Sequence, residues 1–223
     1  PLYNPLRLIQ EVCMLDHLSN GRLELGVGRG IVPFEVDRFG VDSSEGRAIF
    51  DEALFVLLKG LNNETLNHQG QYYNYKDIKF WVRPYQRPHP PIWYASGNLE
   101  TVPWMAQNGI HTSHIFDTNA ATKKHFDLYK QEWEKHKGDL GRINSGIADP
   151  KQGQTRHIFI APTDTEAKVE ARSAWQRWCD NINYLWKIGE SDNLKYLYDY
   201  DAMLADEKII VGSPQSVREQ VWR

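Results

Sequence analysis

The stretch GRLELGVGRGIVPFE, residues 21–35, decides how this chain is read. Leu23, Leu25 and Val27 alternate with Glu24, Gly26 and Gly28. That pattern predicts a strand with one small-residue face near its end. Arg29 stands between Gly28 and Gly30. Glycine lets backbone N–H groups approach a ligand closely, and arginine supplies a forked, permanent charge. Two readings stand for this loop. It holds an anion, or Arg29 pairs with a carboxylate while the glycines turn the chain. A dinucleotide fingerprint G-x-G-x-x-G fails here, because the third glycine position is Ile31. A G-x-x-x-x-G-K-[ST] phosphate loop is absent from the sequence.

Outward from this strand, helices and strands alternate. Upstream, Asn4 is a helix cap, Pro5 fits the first turn, and Ile9, Val12 and Cys13 recur at helical spacing before a stop at Gly21. Downstream, Asp42-Ser43-Ser44-Glu45 has capping-box spacing, and Ile49, Ala53, Leu54 and Leu57 share a helical face that Lys59-Gly60 ends. Residues 61–91 read as irregular, with a short hairpin at HQGQYYNY. IWYAS (92–96), IHTSHIF (110–116) and HIFIA (157–161) read as strands. Helices follow each, with Asn98 a cap candidate and Thr163 or Asp164 starting the longest. Residues 180–207 give no clear pattern, and Gly212-Ser213-Pro214 turns the chain into one more helix. This order predicts an α/β fold with a parallel sheet.

Bulk properties narrow the class. The sequence of 223 residues has 26 basic and 29 acidic side chains, a formal charge of −3. Without a basic excess it does not read as a nucleic-acid surface. Cys13 and Cys179 are too few for a disulfide framework, and a reducing, cytoplasmic compartment is the default. No apolar run approaches the ~18 residues of a membrane span. His111 and His114 fall on opposite faces of a strand, which is wrong for one metal ion. His114 reads as a polar strand end, with cofactor contact as the alternative. Trp93 and Tyr94 read as core, with a wall for a planar cofactor ring as the alternative. Neither a nucleophile elbow nor a Cys/His metal spacing is present.

The wider stretch LDHLSNGRLELGVGRGIVPFEVDRFGVDSSEGRAIF resembles the bacterial luciferase-like flavin monooxygenases. The resemblance is carried by Leu15-Asp16, Ser19-Asn20-Gly21-Arg22, Arg29-Gly30, Phe39-Gly40-Val41-Asp42 and Arg47. RPHPPIWYASGNLETVPWMAQNG and IVGSPQSVREQV continue it in register. It implies a (β/α)₈ TIM barrel, which takes about 250 residues. The strands found here correspond to the fourth to seventh units. Residues 1–223 are therefore expected to form a single incomplete barrel domain, truncated at both ends, that binds flavin poorly by itself.

The same resemblance implies a site and a chemistry. The FMN phosphate falls to Arg29 with Gly30, and to Ser96, Gly97, Asn98 and Thr101 after the next strand. A helix start near Asn98 would add free N–H groups and a positive dipole end. The reactive cysteine of the luciferases is replaced by Gly28, which argues against a light-emitting enzyme. Their tyrosine two residues past the Arg-Gly pair is Val32 here. Their catalytic histidine has no counterpart in this stretch, so no catalytic residue is assigned. The implied activity is oxidation of a small organic substrate with molecular oxygen and reduced FMN from a separate flavin reductase. The full-length protein is expected to be a homodimer. Hydride transfer with a deazaflavin, or a non-catalytic flavoprotein partner subunit, are the alternative readings.

Overall fold

The computed structural model describes residues 1–30, 32–188 and 195–222. Ile31 and residues 189–194 of the unclear 180–207 segment lie outside the described residues. The chain divides into two compact units. The first comprises Pro1–Ser113 and Leu128–Gly153, the second His114–Asp127 and Gln154–Arg223.

Helix α1 (Pro5–Leu18) opens the first unit. Asn4 Oδ1 accepts from the amides of Leu6 and Arg7 at 3.0 and 3.4 Å, which satisfies N–H groups that have no intrahelical partner. At the other end Asn20 and Gly21 turn left-handed, with φ +53° and +74°, and the Gly21 amide donates to Asp16 O. Strand β1 (Leu25–Val27) follows, then the short helix α2 (Pro33–Arg38), which the sequence pattern did not suggest. Helix α3 (Gly46–Asn62) starts later than the capping-box reading expects. Asp42 does not cap it; its carboxylate instead folds back on the Ser44 amide and hydroxyl at 2.8 and 2.7 Å. Nor does Gly60 stop it. A Cβ at Gly60 would lie 2.3 Å from Ile9 Cδ1, so this glycine lets α1 and α3 pack closely, with Ile9, Leu57 and Leu61 buried nearby.

The hairpin at HQGQYYNY is present as β2 (Thr65–Gln69) and β3 (Asn74–Lys79). Glu52 of α3 locks its turn. The carboxylate meets His68 Nε2 at 2.9 Å and accepts from the amides of Gln71, Tyr72 and Tyr73. Burial pushes its pKa up, but these hydrogen bonds outweigh that and hold it below the usual value.

Strand β4 (Ile92–Ala95) pairs in parallel with β1, Val27 opposite Tyr94, and with β5 (His111–Ile115), Tyr94 opposite Thr112. The short helix α4 (Val102–Gln107) joins them, and α5 (Asn119–His136) follows β5. A further strand, β6 (Gln152–Thr155), completes the order β1-β4-β5-β6. Buried Asn144 ties the β4 start to the β5 approach. Its amide bonds Ile92 N and O and Gly109 O at 2.9–3.0 Å.

In the second unit β7 (His157–Ile160) pairs in parallel with β8 (Ile209–Gly212), a strand the sequence reading had not separated from the turn after it. Thr163 and Glu166 form a reciprocal cap on α6 (Asp164–Ile188). Ala167, Ala171, Trp175 and Cys179 of α6 pack on Ile209 and Val211 of β8 and on Met203 of α7 (Tyr200–Ala205). Ser213 caps the last helix, α8 (Pro214–Val221), through the Ser216 amide.

Candidate functional site

The glycines that lead into the loop after β1 stand beside open space. A Cβ added at Gly26 or Gly28 would meet no atom within 4 Å, so the small-residue face borders empty space. Gly30 has φ +84°, a conformation that L side chains rarely adopt, so its glycine is required by the backbone. Arg29 between them is exposed and forms no ion pair among the described residues. The backbone of Gly26–Gly30 lines a largely apolar cavity of about 230 Å³ whose far wall is Leu8, Phe50, Leu54 and Leu57.

The loop after β4 is closed on itself. Ser96 Oγ accepts from the Asn98 amide at 3.1 Å and from Thr101 Oγ1 at 2.8 Å. Asn98 Oδ1 accepts from the Glu100 amide at 2.9 Å, the capping role expected of it. Asn98 and Thr101 line a polar cavity of about 260 Å³ with Arg47, Phe50, Tyr94 and Trp104. Ser96 holds the loop through its two hydrogen bonds, and Gly97 follows it outside the cavity lining. Of the residues expected to share a site, the structure therefore brings Asn98 and Thr101 together in one cavity, and Arg29 and Gly30 together in another. Phe50 of α3 lines both.

Arg47 was present in the resembling stretch but was not singled out as a ligand. It lies one helical turn before Phe50, and its Nε donates to both Asp51 oxygens at 3.0 and 2.8 Å. That pairing raises its pKa. Its signal in the sequence was an arginine in the first turn of an amphipathic helix, on the same face as a buried aromatic residue. Glu100 also lines this cavity, so any anion there depends on Arg47 to outweigh one carboxylate.

Tyr94 and Trp93 separate by strand alternation. Tyr94 is buried against Phe50 and Trp104, each at 5.7 Å between ring centroids. Trp93 points to the other sheet face, where its Nε1 donates to Glu24, which also pairs with Lys151. His111 joins this cluster, its Nδ1 accepting from the Lys151 amide at 2.9 Å and its ring 4.8 Å from Trp93. The Lys151 hydrogen bond holds Glu24 below the usual carboxylate range, and burial lowers the His111 pKa. Every partner here is matched, so the cluster reads as a polar layer of the fold. His114 points the opposite way from His111, as the alternation predicted. Its Nδ1 lies 3.0 Å from Thr122 Oγ1, its ring 4.8 Å from His125, and burial lowers its pKa. It faces α5, which supports the polar strand-end reading over cofactor contact.

Comparison with known proteins gives this geometry a context. A family model described as luciferase-like monooxygenase matches residues 1–223. An uncharacterized protein y4wF of Sinorhizobium fredii is 32% identical over 220 residues, covering 97% of this chain and 62% of that protein. The oxygenase component of a flavin-dependent trigonelline monooxygenase from Acinetobacter baylyi is 29% identical over 180 residues, covering 77% and 46%. Among solved structures, the oxygenating constituent of 3,6-diketocamphane monooxygenase from Pseudomonas putida, a type II Baeyer-Villiger monooxygenase in complex with FMN, superposes with a TM-score of 0.73. It is 22% identical and matches over 98% of this chain and 65% of that one. The chain thus spans less than two thirds of the length of each. The match along its whole length establishes that this chain belongs to the luciferase-like monooxygenase family.

Proposed function

We propose that this chain is the cofactor-holding part of a flavin-dependent monooxygenase, built as part of a (β/α)₈ barrel. The carrying observation is the pair of cavities that share Phe50, one bordered by Arg29 on a glycine loop and the other by Arg47, Asn98 and Thr101. These residues fit a phosphorylated flavin. Arg29 and Arg47 supply two permanent positive charges, Gly30 provides the turn, and the empty space at Gly26 and Gly28 admits a ring close to the backbone. Ser96 and Gly97 set the loop that presents Asn98 and Thr101. FMN, when bound in its reduced form, activates molecular oxygen for insertion into a small organic substrate.

The chain's own part in this reading is binding, orientation and exclusion of water. Arg29 and Arg47 hold the phosphate, and Phe50 and Tyr94 keep water from the space between them. The two-component character of the trigonelline enzyme, whose relative here is its oxygenase component, supports a separate reductase as partner. The test is an FMN fluorescence titration of the full-length protein and its Arg29→Ala and Arg47→Ala variants, with a deazaflavin run in parallel. Tighter FMN binding that both variants weaken supports the reading. Preference for the deazaflavin would make this a hydride-transfer enzyme. FMN binding that neither variant changes would return the glycine-arginine loop to a structural role.

A further inference from the structure

The second unit holds a cavity of mixed polar and apolar lining that the flavin reading does not use. It has a volume of about 330 Å³ and is lined by Asn119, Gln154, Arg156 and Glu207, with Ile158 and Ile209 forming an apolar side. Arg156 is its central group. Nη2 donates to Asn119 Oδ1 at 3.0 Å. In the Gln154 amide orientation that satisfies its neighbours, the oxygen accepts from Thr122 Oγ1 at 2.8 Å and from Arg156 Nε at 2.9 Å. Nη1 is buried and has no partner among the described residues. A buried guanidinium donor without a partner costs free energy, and native structures seldom keep one without a ligand, ion or water to meet it. The guanidinium stays charged even though burial lowers its pKa.

An anion alone fits this cavity poorly, because Glu207 lines it too. The two charged groups are linked through one side chain. Asn119 takes the Arg156 hydrogen bond on its oxygen and donates from Nδ2 to Glu207 Oε2 at 2.7 Å. A single carboxamide thus bridges a guanidinium and a carboxylate, so that groups of both signs face one cavity. Glu207 takes the left-handed conformation, φ +56°, as the residue that ends helix α7, where the Lys208 amide returns to Met203 O. Beside the charges, Ile158 is 52% exposed, which offers an apolar surface to a ligand side chain.

We propose that this cavity binds a zwitterionic small molecule of the α-amino acid class with an aliphatic side chain. Its carboxylate meets Arg156 Nη1, its ammonium meets Glu207, and its side chain lies on Ile158 and Ile209. The site is independent of the flavin assignment, so either can fail without the other.

The test is calorimetric titration of the full-length protein with L-isoleucine, with 3-methylpentanoate, which lacks the ammonium, and with 2-methylbutylamine, which lacks the carboxylate. Arg156→Gln and Glu207→Gln variants are titrated alongside, with circular dichroism as the check on folding. L-isoleucine should bind, and each single-charge analogue should bind at least tenfold more weakly. Each variant should weaken L-isoleucine by a similar factor. Glu207→Gln should leave 3-methylpentanoate unaffected or improved. Absence of L-isoleucine binding up to about 10 mM would overturn the proposal, as would equal binding of the carboxylate alone, which would mark a plain anion site. The analogue series on the unmodified protein decides the matter even if a variant does not fold.

Discussion

The loops after β1 and β4 stand at the ends of neighbouring parallel strands, yet they are built on opposite principles. The first is glycine and arginine, with open space at Gly28 and a side chain at Arg29 that no carboxylate claims among the described residues. The second is a closed ring of short hydrogen bonds among Ser96, Asn98, Glu100 and Thr101. A rigid seat costs little to occupy because its groups are ordered in advance, whereas an exposed arginine loses conformational freedom when it binds. On the proposed reading the candidate site divides its labour: one loop would supply shape, and the other would supply charge that closes on arrival. Arg47 lies between these extremes, charged but already positioned by Asp51.

The largest expected effect tests the charge side of that division. Arg29→Ala should weaken FMN binding about 10- to 150-fold, the range for a charged hydrogen bond, and leave the denaturation midpoint nearly unchanged. If stability falls with affinity, Arg29 is a structural residue and the contrast between the loops dissolves. Next comes the backbone that presents it. Gly30→Ala places a side chain at φ +84° and should destabilise by about 1–2 kcal/mol in urea denaturation. Gly28→Ala has no such strain and no neighbour within 4 Å. It should stay within about 0.5 kcal/mol of the parent while losing FMN affinity, since the new methyl occupies the space a ring would need.

On the rigid side, Asn98→Ala removes a cap and should cost about 1 kcal/mol of stability, with a smaller loss of FMN affinity than Arg29→Ala. An equal or larger affinity loss would mean that the second loop contributes charge recognition as well as shape. The smallest effect concerns the polar layer on which Trp93 and Glu24 meet. Burial lowers the pKa of His111 below its ordinary value of 6.5. The unfolded chain therefore binds more protons than the folded one below that pH. Stability is complete above pH 6.5 and declines as the pH falls through the folded pKa. Urea denaturation at pH 7.5 and 5.5 should show this decline, and it should shrink in His111→Gln.

Much of the fold was legible because it is local. Asn4, Gly21, Asn98 and Thr163 mark helix ends in the sequence, and each does so in the structure through a backbone group within a few residues. Strand alternation correctly set His111 against His114, whereas Trp93 and Tyr94 were both read as core and only Tyr94 packs there. The misreadings also have physical causes. Gly60 carries the signature of a helix stop, but its smallness serves the contact with Ile9, a residue far away in the chain. Asp42 carries the signature of a cap, but the nearer Ser44 amide takes its carboxylate first. β8 was too short and too close to Gly212 to separate from a turn until its pairing with β7 was seen.

By itself the sequence determined the family and the alternation of helices and strands. These follow from sterics and from side-chain period, which act between neighbours. Only the tertiary structure decided that Arg47 and Phe50 of α3 reach Asn98 and Thr101, and that Asn119 links Arg156 to Glu207. Those groups come from separate elements. Their meeting depends on how helices pack on the sheet, which no local pattern records.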